Sequence, residues 1–451
     1  MRLVSGLLRK SPQFPSHTAV TVKCAALILA IGMACLAGCG EAPSHVNSCG
    51  LPEPTEPTKI NIISYDSPGM PFFGEQMARC SVGRLNIRHQ MLPFDALVNQ
   101  ATISMSSSSP SPYHIVHVYD QLLVEWAGKR WLAPLDDLIN KYWTQYRLQE
   151  IPPGVWETLR VNGHIFGIPA IQNPEIFVYR KDLFAKHGLA VPQNMDDVRK
   201  LCEVLKVKES VRYPLVMMYS KMSDHIAYEF NNMQHSLGGR LFGEDGSPQF
   251  NSPVSVRALQ QMTSLFRQCV HPSAVNFTVE DALVGLQQGQ FLMGILWMNN
   301  TPQLDDPEAS RFAGKFGFSS APPACGGCAP VGYWAQDSWV IPANAGVDRE
   351  LLFRIAMEGT NSENQRRASN ITLVTRPGVA GVDRSPYWQA GVASIERGAV
   401  GLERRPYAYL AKDAIVRYGI EALLGHLSAS EALDRAAADY WRSMREEGFI
   451  E

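Results

Sequence analysis

From Lys59 onward the chain alternates apolar, β-branched runs with capped segments of helical period, and this alternation constrains the fold more than any single motif. Residues 59–65 read as a strand that stops at the turn-forming Asp66-Ser67-Pro68-Gly69. Residues 85–91 and 114–118 read as two more strands, with a helix over 93–105 and a Ser/Pro loop over 106–112 between them. Asn194, followed by Asp196 and Asp197, starts a helix whose Val198, Leu201 and Leu205 share one face. Ser252-Pro253 opens another, with Val256, Leu259, Met262 and Phe266 as its core stripe. Thr278 and Asp281 open a third, halted at Gly289, and 291–296 follows as a buried strand. Ser428-x-x-Glu431 is a capping box at the head of a C-terminal helix that runs through Tyr440 and Trp441. Strands spaced by helices predict an α/β chain with largely parallel layers.

The N-terminus reads as a targeting segment. Arg2, Arg9, Lys10 and Lys23 precede an apolar run over 24–38, short for a membrane span and suited to a signal peptide. Its end, Leu36-Ala37-Gly38-Cys39, resembles the bacterial lipoprotein signal. That resemblance implies removal of residues 1–38, lipid on Cys39, attachment to the membrane through that lipid, and a place in the cell envelope outside the cytoplasm. Residues 39–58, with Pro43, Pro52, Pro54 and Pro57, read as an extended tether. No later stretch is apolar and long enough to span a bilayer. Taking four basic residues from the 41 basic and 43 acidic side chains leaves a net charge of about −6. Such a surface, without clustered Lys or Arg, excludes non-specific nucleic-acid binding.

Six of the nine cysteines lie beyond Cys39: Cys49, Cys80, Cys202, Cys269, Cys325 and Cys328. An even number in an oxidising compartment suggests disulfides, though six cysteines allow fifteen pairings. Cys325-Gly-Gly-Cys328 stands in a Pro/Gly loop, without the βαβ setting of a redox motif or the second ligand pair of a zinc site. A local disulfide that ties the loop is the reading it favours.

Catalytic signatures are lacking: there is no HExxH, GxSxG, GxGxxG or P-loop. His114 and His117, three apart on a strand, point to opposite faces. Asp136-Asp137 and Asp305-Asp306 stand where a helix start or a loop favours acidic residues. No catalytic residue, metal or cofactor is expected. Instead Trp297, Tyr333, Trp334, Trp339, Trp388 and Tyr407 fall at expected strand ends or in loops, where aromatic faces suit the C–H faces of sugar rings.

Several fragments then resemble, in order, the extracellular solute-binding proteins of the maltose- and glycerol-phosphate-binding type. They are His114-Ile-Val-His-Val-Tyr-Asp120, Trp131-Leu-Ala-Pro-Leu-Asp-Asp137, Gly163-His-Ile-Phe-Gly-Ile-Pro169 and Phe177-Val-Tyr-Arg-Lys-Asp-Leu-Phe184. Gly238-Gly239 with Asp245-Gly246, Asn251-Ser252-Pro253 and the stretch over 289–297 complete the series. The resemblance implies a two-lobed, periplasmic-binding-protein-like α/β fold with a multi-segment hinge crossing near 168–173, 317–322 and 371–375. The N-lobe would comprise 59–170 and 321–370, and the C-lobe 171–320 and 371–451.

Residue by residue, the resemblance places Asp120 at a sugar-binding aspartate after the third strand. Asn173 stands near a hinge position where some members carry a carboxylate. Tyr228 and Trp297 take the places of stacking rings, and Tyr65, Asp66 and Ser67 those of a lobe-edge contact. Asp337 or Trp334 represents the second N-lobe segment, and Tyr407 follows the family's Arg-Pro. It implies capture of a small carbohydrate, without catalysis, for the permease subunits of an ABC importer. The alternatives are a phosphorylated polyol, an amine or another solute, a sensory subunit, or a secreted carbohydrate-active enzyme.

Overall fold

The described residues of the computed structural model are 49–221, 224–330, 332–379, 385–398, 401 and 403–450. The expected signal segment and Cys39 lie outside them. Near the start come β1 (Thr58–Tyr65), β2 (Leu85–Leu92) and β3 (Ile115–Tyr119), then a short hairpin of β4 (Arg160–Val161) and β5 (His164–Ile165). Asn162 and Gly163 turn that hairpin with positive φ angles of 48° and 86°, as a two-residue connection of right-handed twist requires. The long β6 (Gly167–Arg180) is followed by β7 (Leu215–Val216), β8 (Met293–Trp297), β9 (Phe316–Ser320), β10 (Trp334–Val340) and β11 (Leu373–Val374).

The main sheet runs β2-β1-β3-β10-β6-β8-β7, with β9 and β11 also paired to β6. It is mixed rather than largely parallel. Helical crossovers return β2 and β3 parallel to β1, and β7 parallel to β8. β10 is antiparallel to both β3 and β6, and β6 is antiparallel to β8, β9 and β11. These pairings join segments distant in sequence, so no local crossover sets their direction. The first half of β6 pairs with β10 and β11, the second half with β8 and β9. All three expected crossings therefore fall on or beside paired strands around β6.

A bulge interrupts β10 against β6, where Asp337 faces Ile171 and Ser338 faces Pro169, leaving Ala170 without a strand partner. The carbonyl of Ala170 is satisfied by Gln365 Nε2 at 3.0 Å.

Capping chemistry explains the helix starts. Asn194 accepts from the Asp197 amide and heads Met195–Glu209, and Ser252 accepts from Ser255 and heads Pro253–Cys269. Thr278 and Asp281 exchange side-chain and backbone bonds as a full capping box before Val279–Gln287. Ser428 accepts from the Glu431 amide at the head of Ala429–Glu446. Leu259, Met262 and Phe266 are buried as expected, with Val256 half-buried. Trp339 is fully buried within β10, and Trp388 is buried in the helix Pro386–Glu396, so both are packing residues.

Three disulfides join Cys49 to Cys80, Cys202 to Cys269 and Cys325 to Cys328, the last tying its own loop. Just past β11, fully buried Arg376 donates to the carbonyls of Tyr146 and Arg147 and to Glu150 Oε2, each at 2.8–2.9 Å. Among the described residues no helix is long and apolar enough to cross a membrane, and no group of three side chains could hold a metal ion. Of the acidic pairs, Asp136 and Asp137 begin the helix Asp136–Tyr142, while Asp305 and Asp306 accept loop amides.

Candidate functional site

Parallel strands leave a crevice beyond their carboxyl ends, because the connections there diverge to helices on opposite faces. A cavity of about 630 Å³ lies at this place. Tyr65, Asp66 and Ser67 border it from the end of β1, residues 91–95 from the end of β2 and the helix after it, and Tyr119 from the end of β3. Facing them are His225 and Tyr228 from the first turn of His225–Ser236, residues 278–280 at the head of Val279–Gln287, Trp297 at the end of β8 and Asn300 just after it. Asn173 of β6, together with Tyr333, Ala335 and Asp337 at β10, completes the wall.

Two aromatic groups face this space. Tyr228 stacks on Tyr333 at 4.6 Å between ring centres, and Trp297 meets Tyr333 edge-on at 5.6 Å. Tyr65 meets Phe94 edge-on at 5.2 Å and stacks on His117 at 3.9 Å. Their flat, partly polar faces match the apolar faces of a ring or polyol chain.

The polar groups are held by a buried layer beneath. Tyr65 Oη donates to Asp337 Oδ1 at 2.8 Å, and His117 Nε2 lies 3.1 Å from the same oxygen. Oδ2 of Asp337 receives no donor from the described residues and is not sealed from the cavity. Burial and the Asp337 charge push the Tyr65 hydroxyl well above its ordinary pKa, so it remains a neutral donor. Trp297 Nε1 donates to His225 Nε2 at 3.1 Å. Burial lowers the His225 pKa to about 4, which keeps its imidazole neutral and Nε2 able to accept. Asn173 Oδ1 accepts from the Asn299 amide at 3.1 Å, which orients its side chain.

Behind Trp297 lies a second acidic layer. Glu175, paired with Trp297 across β6 and β8, accepts from Asn232 Nδ2 at 2.7 Å and from the Tyr333 amide at 3.2 Å. Burial raises the pKa of Glu175, and burial reinforced by Glu175 raises that of Glu229. The pair therefore holds protons at pH values where free carboxyls have lost them.

Of the residues expected at a site, the cavity brings together Tyr65, Asp66, Ser67, Asn173, Tyr228, Trp297 and Asp337. Asp120 lies beneath it, fully buried: its Oδ1 accepts from Tyr333 Oη at 3.1 Å, and Arg404 Nη2 is 3.9 Å from Oδ2. It reaches the cavity through the Tyr333 ring, because the helix Asp120–Gly128 begins at this residue and draws it under the strand end. Burial raises its pKa to about 6 against the opposing pull of Arg404 and Tyr333.

Trp334 is outside the lining. Side chains alternate along β10, and Ala335 and Asp337 share the face toward the cavity while Trp334 takes the other, below the Arg404 guanidinium at 6.0 Å. Tyr407 is also outside it, packed 5.7 Å from Phe242 and 5.7 Å from Phe449 between ring centres. Tyr119, Phe94 and His225 were missed as wall residues. The carboxyl-end rule for parallel strands points to Tyr119, whereas nothing local marks His225.

The lining carries four carboxylates, Asp66, Asp95, Glu280 and Asp337, and no Lys or Arg among the described residues. Asp66, Asp95 and Glu280 are exposed at the rim and form no ion pair among those residues.

Residues 86–346 match the family described as bacterial extracellular solute-binding protein. A mannitol-binding protein of Pseudomonas aeruginosa is 23% identical over 202 residues, which cover 44% of this chain and 45% of that protein. A putative binding protein of Brucella abortus is 19% identical over 271 residues, covering 58% and 62% respectively. The chain thus spans 45% and 62% of the lengths of these two relatives. Among solved structures, an ABC transporter solute-binding protein of Agrobacterium radiobacter in complex with ribitol has a TM-score of 0.73 at 19% identity, covering 87% of this chain and all of that one. One from Thermotoga lettingae with bound α-D-tagatose has a TM-score of 0.74 at 18% identity, covering 85% and 99%. These likenesses establish the two-lobed, periplasmic-binding-protein-like α/β fold with its multi-segment hinge.

Proposed function

The chain belongs to the bacterial extracellular solute-binding protein family, and from that premise we propose that it captures a sugar or polyol in the aromatic-walled cavity for an ABC importer. The observation that carries this reading is the convergence of Tyr228, Trp297 and Tyr333 on one wall with Tyr65, Phe94 and Asp337 on the other. Rings present flat faces to C–H groups, while Asp337, Asn173 and Asn300 can pair with hydroxyls. The ribitol, tagatose and mannitol bound by the similar proteins belong to this chemical class.

The lobes in this reading are 59–170 with 321–370, and 171–320 with 371–451, and the cavity draws its wall from both. A ligand touching both lobes binds the closed arrangement better and shifts the population toward it. The importer would then recognise the closed form. Export, removal of residues 1–38 and lipid on Cys39 belong to the same reading, and mass spectrometry of the membrane-extracted protein tests them.

A phosphorylated solute is a poorer fit, since the described lining offers no Lys or Arg to a phosphate. Hydrolysis is a poorer fit too: Asp337 is held by Tyr65 and His117, and Asp120 is sealed beneath Tyr333. A thermal-shift screen with ribitol, mannitol, tagatose and maltooligosaccharides tests the assignment, because a ligand of the native state alone raises Tm. Calorimetry on Trp297→Ala should show affinity weakened by about tenfold or more, the scale of losing one aromatic anchor. Unchanged affinity for every ligand that binds would remove this cavity as the site.

A further inference from the structure

We infer that the solute taken by this cavity carries a positive charge, a protonated amine on a hydroxyl-rich frame such as an amino sugar or amino polyol. The inference rests on the cavity reading above and names the ligand class within it. The described lining has four carboxylates, Asp66, Asp95, Glu280 and Asp337, and no Lys or Arg to offset their charge. His225 supplies no cation, since burial lowers its pKa to about 4 and its Nε2 accepts from Trp297.

Asp337 makes the argument specific. It is 2% exposed and lines the cavity, its Oδ1 engaged by Tyr65 and His117, while Oδ2 lacks a donor among the described residues. An unengaged carboxylate oxygen that opens on the cavity is free to accept from the ligand, and an ammonium group would bring it a charged donor. The bulge beside Asp337 breaks the strand register at this point, the kind of irregularity that re-aims a side chain.

The aromatic walls favour the same guest, because the faces of Trp297, Tyr228 and Tyr333 attract cations as well as C–H groups. At the rim, Asp66, Asp95 and Glu280 give a one-signed entrance, which concentrates cations and repels anions.

The test is paired calorimetry at low ionic strength: glucosamine against glucose, and 1-amino-1-deoxysorbitol against sorbitol, with choline as a cation lacking the hydroxyl-rich frame. We expect the amine of at least one pair to bind ten times more tightly or better than its hydroxyl counterpart, with the advantage shrinking as salt rises. The exposed double variant Asp95→Asn/Glu280→Gln should cut that advantage several-fold, and it keeps the test open if Asp337→Asn fails to fold. Neutral members binding as tightly as the amines would overturn the charge assignment and leave the cavity reading standing. Choline binding more tightly than either amine would overturn the hydroxyl-rich frame. If no compound of either set, nor any neutral sugar of the broader screen, bound at all, the cavity reading would fail along with the inference.

Discussion

Tyr65 and Asp337, 272 residues apart in sequence, meet at 2.8 Å, the tyrosine hydroxyl donating to Oδ1 of the carboxylate. The contact links the carboxyl end of β1 to the antiparallel β10 and sets the orientation of the one deeply buried acid in the cavity wall. Tyr65→Phe removes the donor and keeps the ring. A hydrogen bond to a charged acceptor is worth about 1.5–3 kcal/mol, and His117 still holds the oxygen, so we expect stability to fall by about 1–2 kcal/mol. Ligand affinity should weaken several-fold as Asp337 loses its fixed direction. Urea unfolding and calorimetry on the variant measure the two effects.

Tyr407 should behave as a packing residue. Its ring lies among Phe242, Tyr440 and Phe449, and its hydroxyl accepts from Arg405 at 3.0 Å. Tyr407→Ala should cost about 2 kcal/mol, below the range for fully buried aromatics because the residue is only half-buried. Ligand affinity should stay within about twofold, and a larger loss in calorimetry would return Tyr407 to the binding surface.

Arg376 clamps the chain just beyond β11. Fully buried, it satisfies two backbone carbonyls and Glu150 Oε2 with its guanidinium. Arg376→Met leaves those acceptors facing an apolar chain, for which about 3–5 kcal/mol is the expected loss. The urea midpoint should drop accordingly, and an unchanged midpoint would show the clamp to be dispensable.

Stability should decline as pH rises from about 6.5 through about 7. The folded protein keeps a proton in the Glu175–Glu229 layer that the unfolded chain, with ordinary carboxyl pKa values, has already lost. Unfolding therefore releases a proton, and the linkage slope is negative, at most about 1.4 kcal/mol per pH unit for one proton. Below that window the neutral burial of His225 and His89, both held near pKa 4, acts in the opposite sense. Glu229→Gln should flatten the slope above pH 6.5, which urea unfolding at several pH values would measure.

The features legible in the sequence were those decided over a few residues. Asn194, Ser252 and Thr278 announce their helices because a cap needs only its own first turn. The direction of β10 was not legible, since its partners β3 and β6 lie more than 150 residues away in the chain. The same limit applied to the site. Tyr228, Trp297 and Asp337 were named through family resemblance, and the cavity assembles them from three distant segments. His225 escaped notice because its role depends on Trp297 Nε1 reaching it across 72 residues, a pairing no local pattern encodes. Asp120 was expected at the ligand surface but lies one ring deeper, since a helix that begins immediately after β3 leaves no loop to carry it outward.

Strand β6 threads both groups of strands without a break, with Asn173 and Glu175 two residues apart on one side of it. Because side chains alternate, one extra residue inserted at this place would exchange the inner and outer faces of everything that follows against β8 and β9. Descendants of this gene should therefore tolerate length changes freely in the connecting loops, while any insertion or deletion surviving in 172–176 should come in twos.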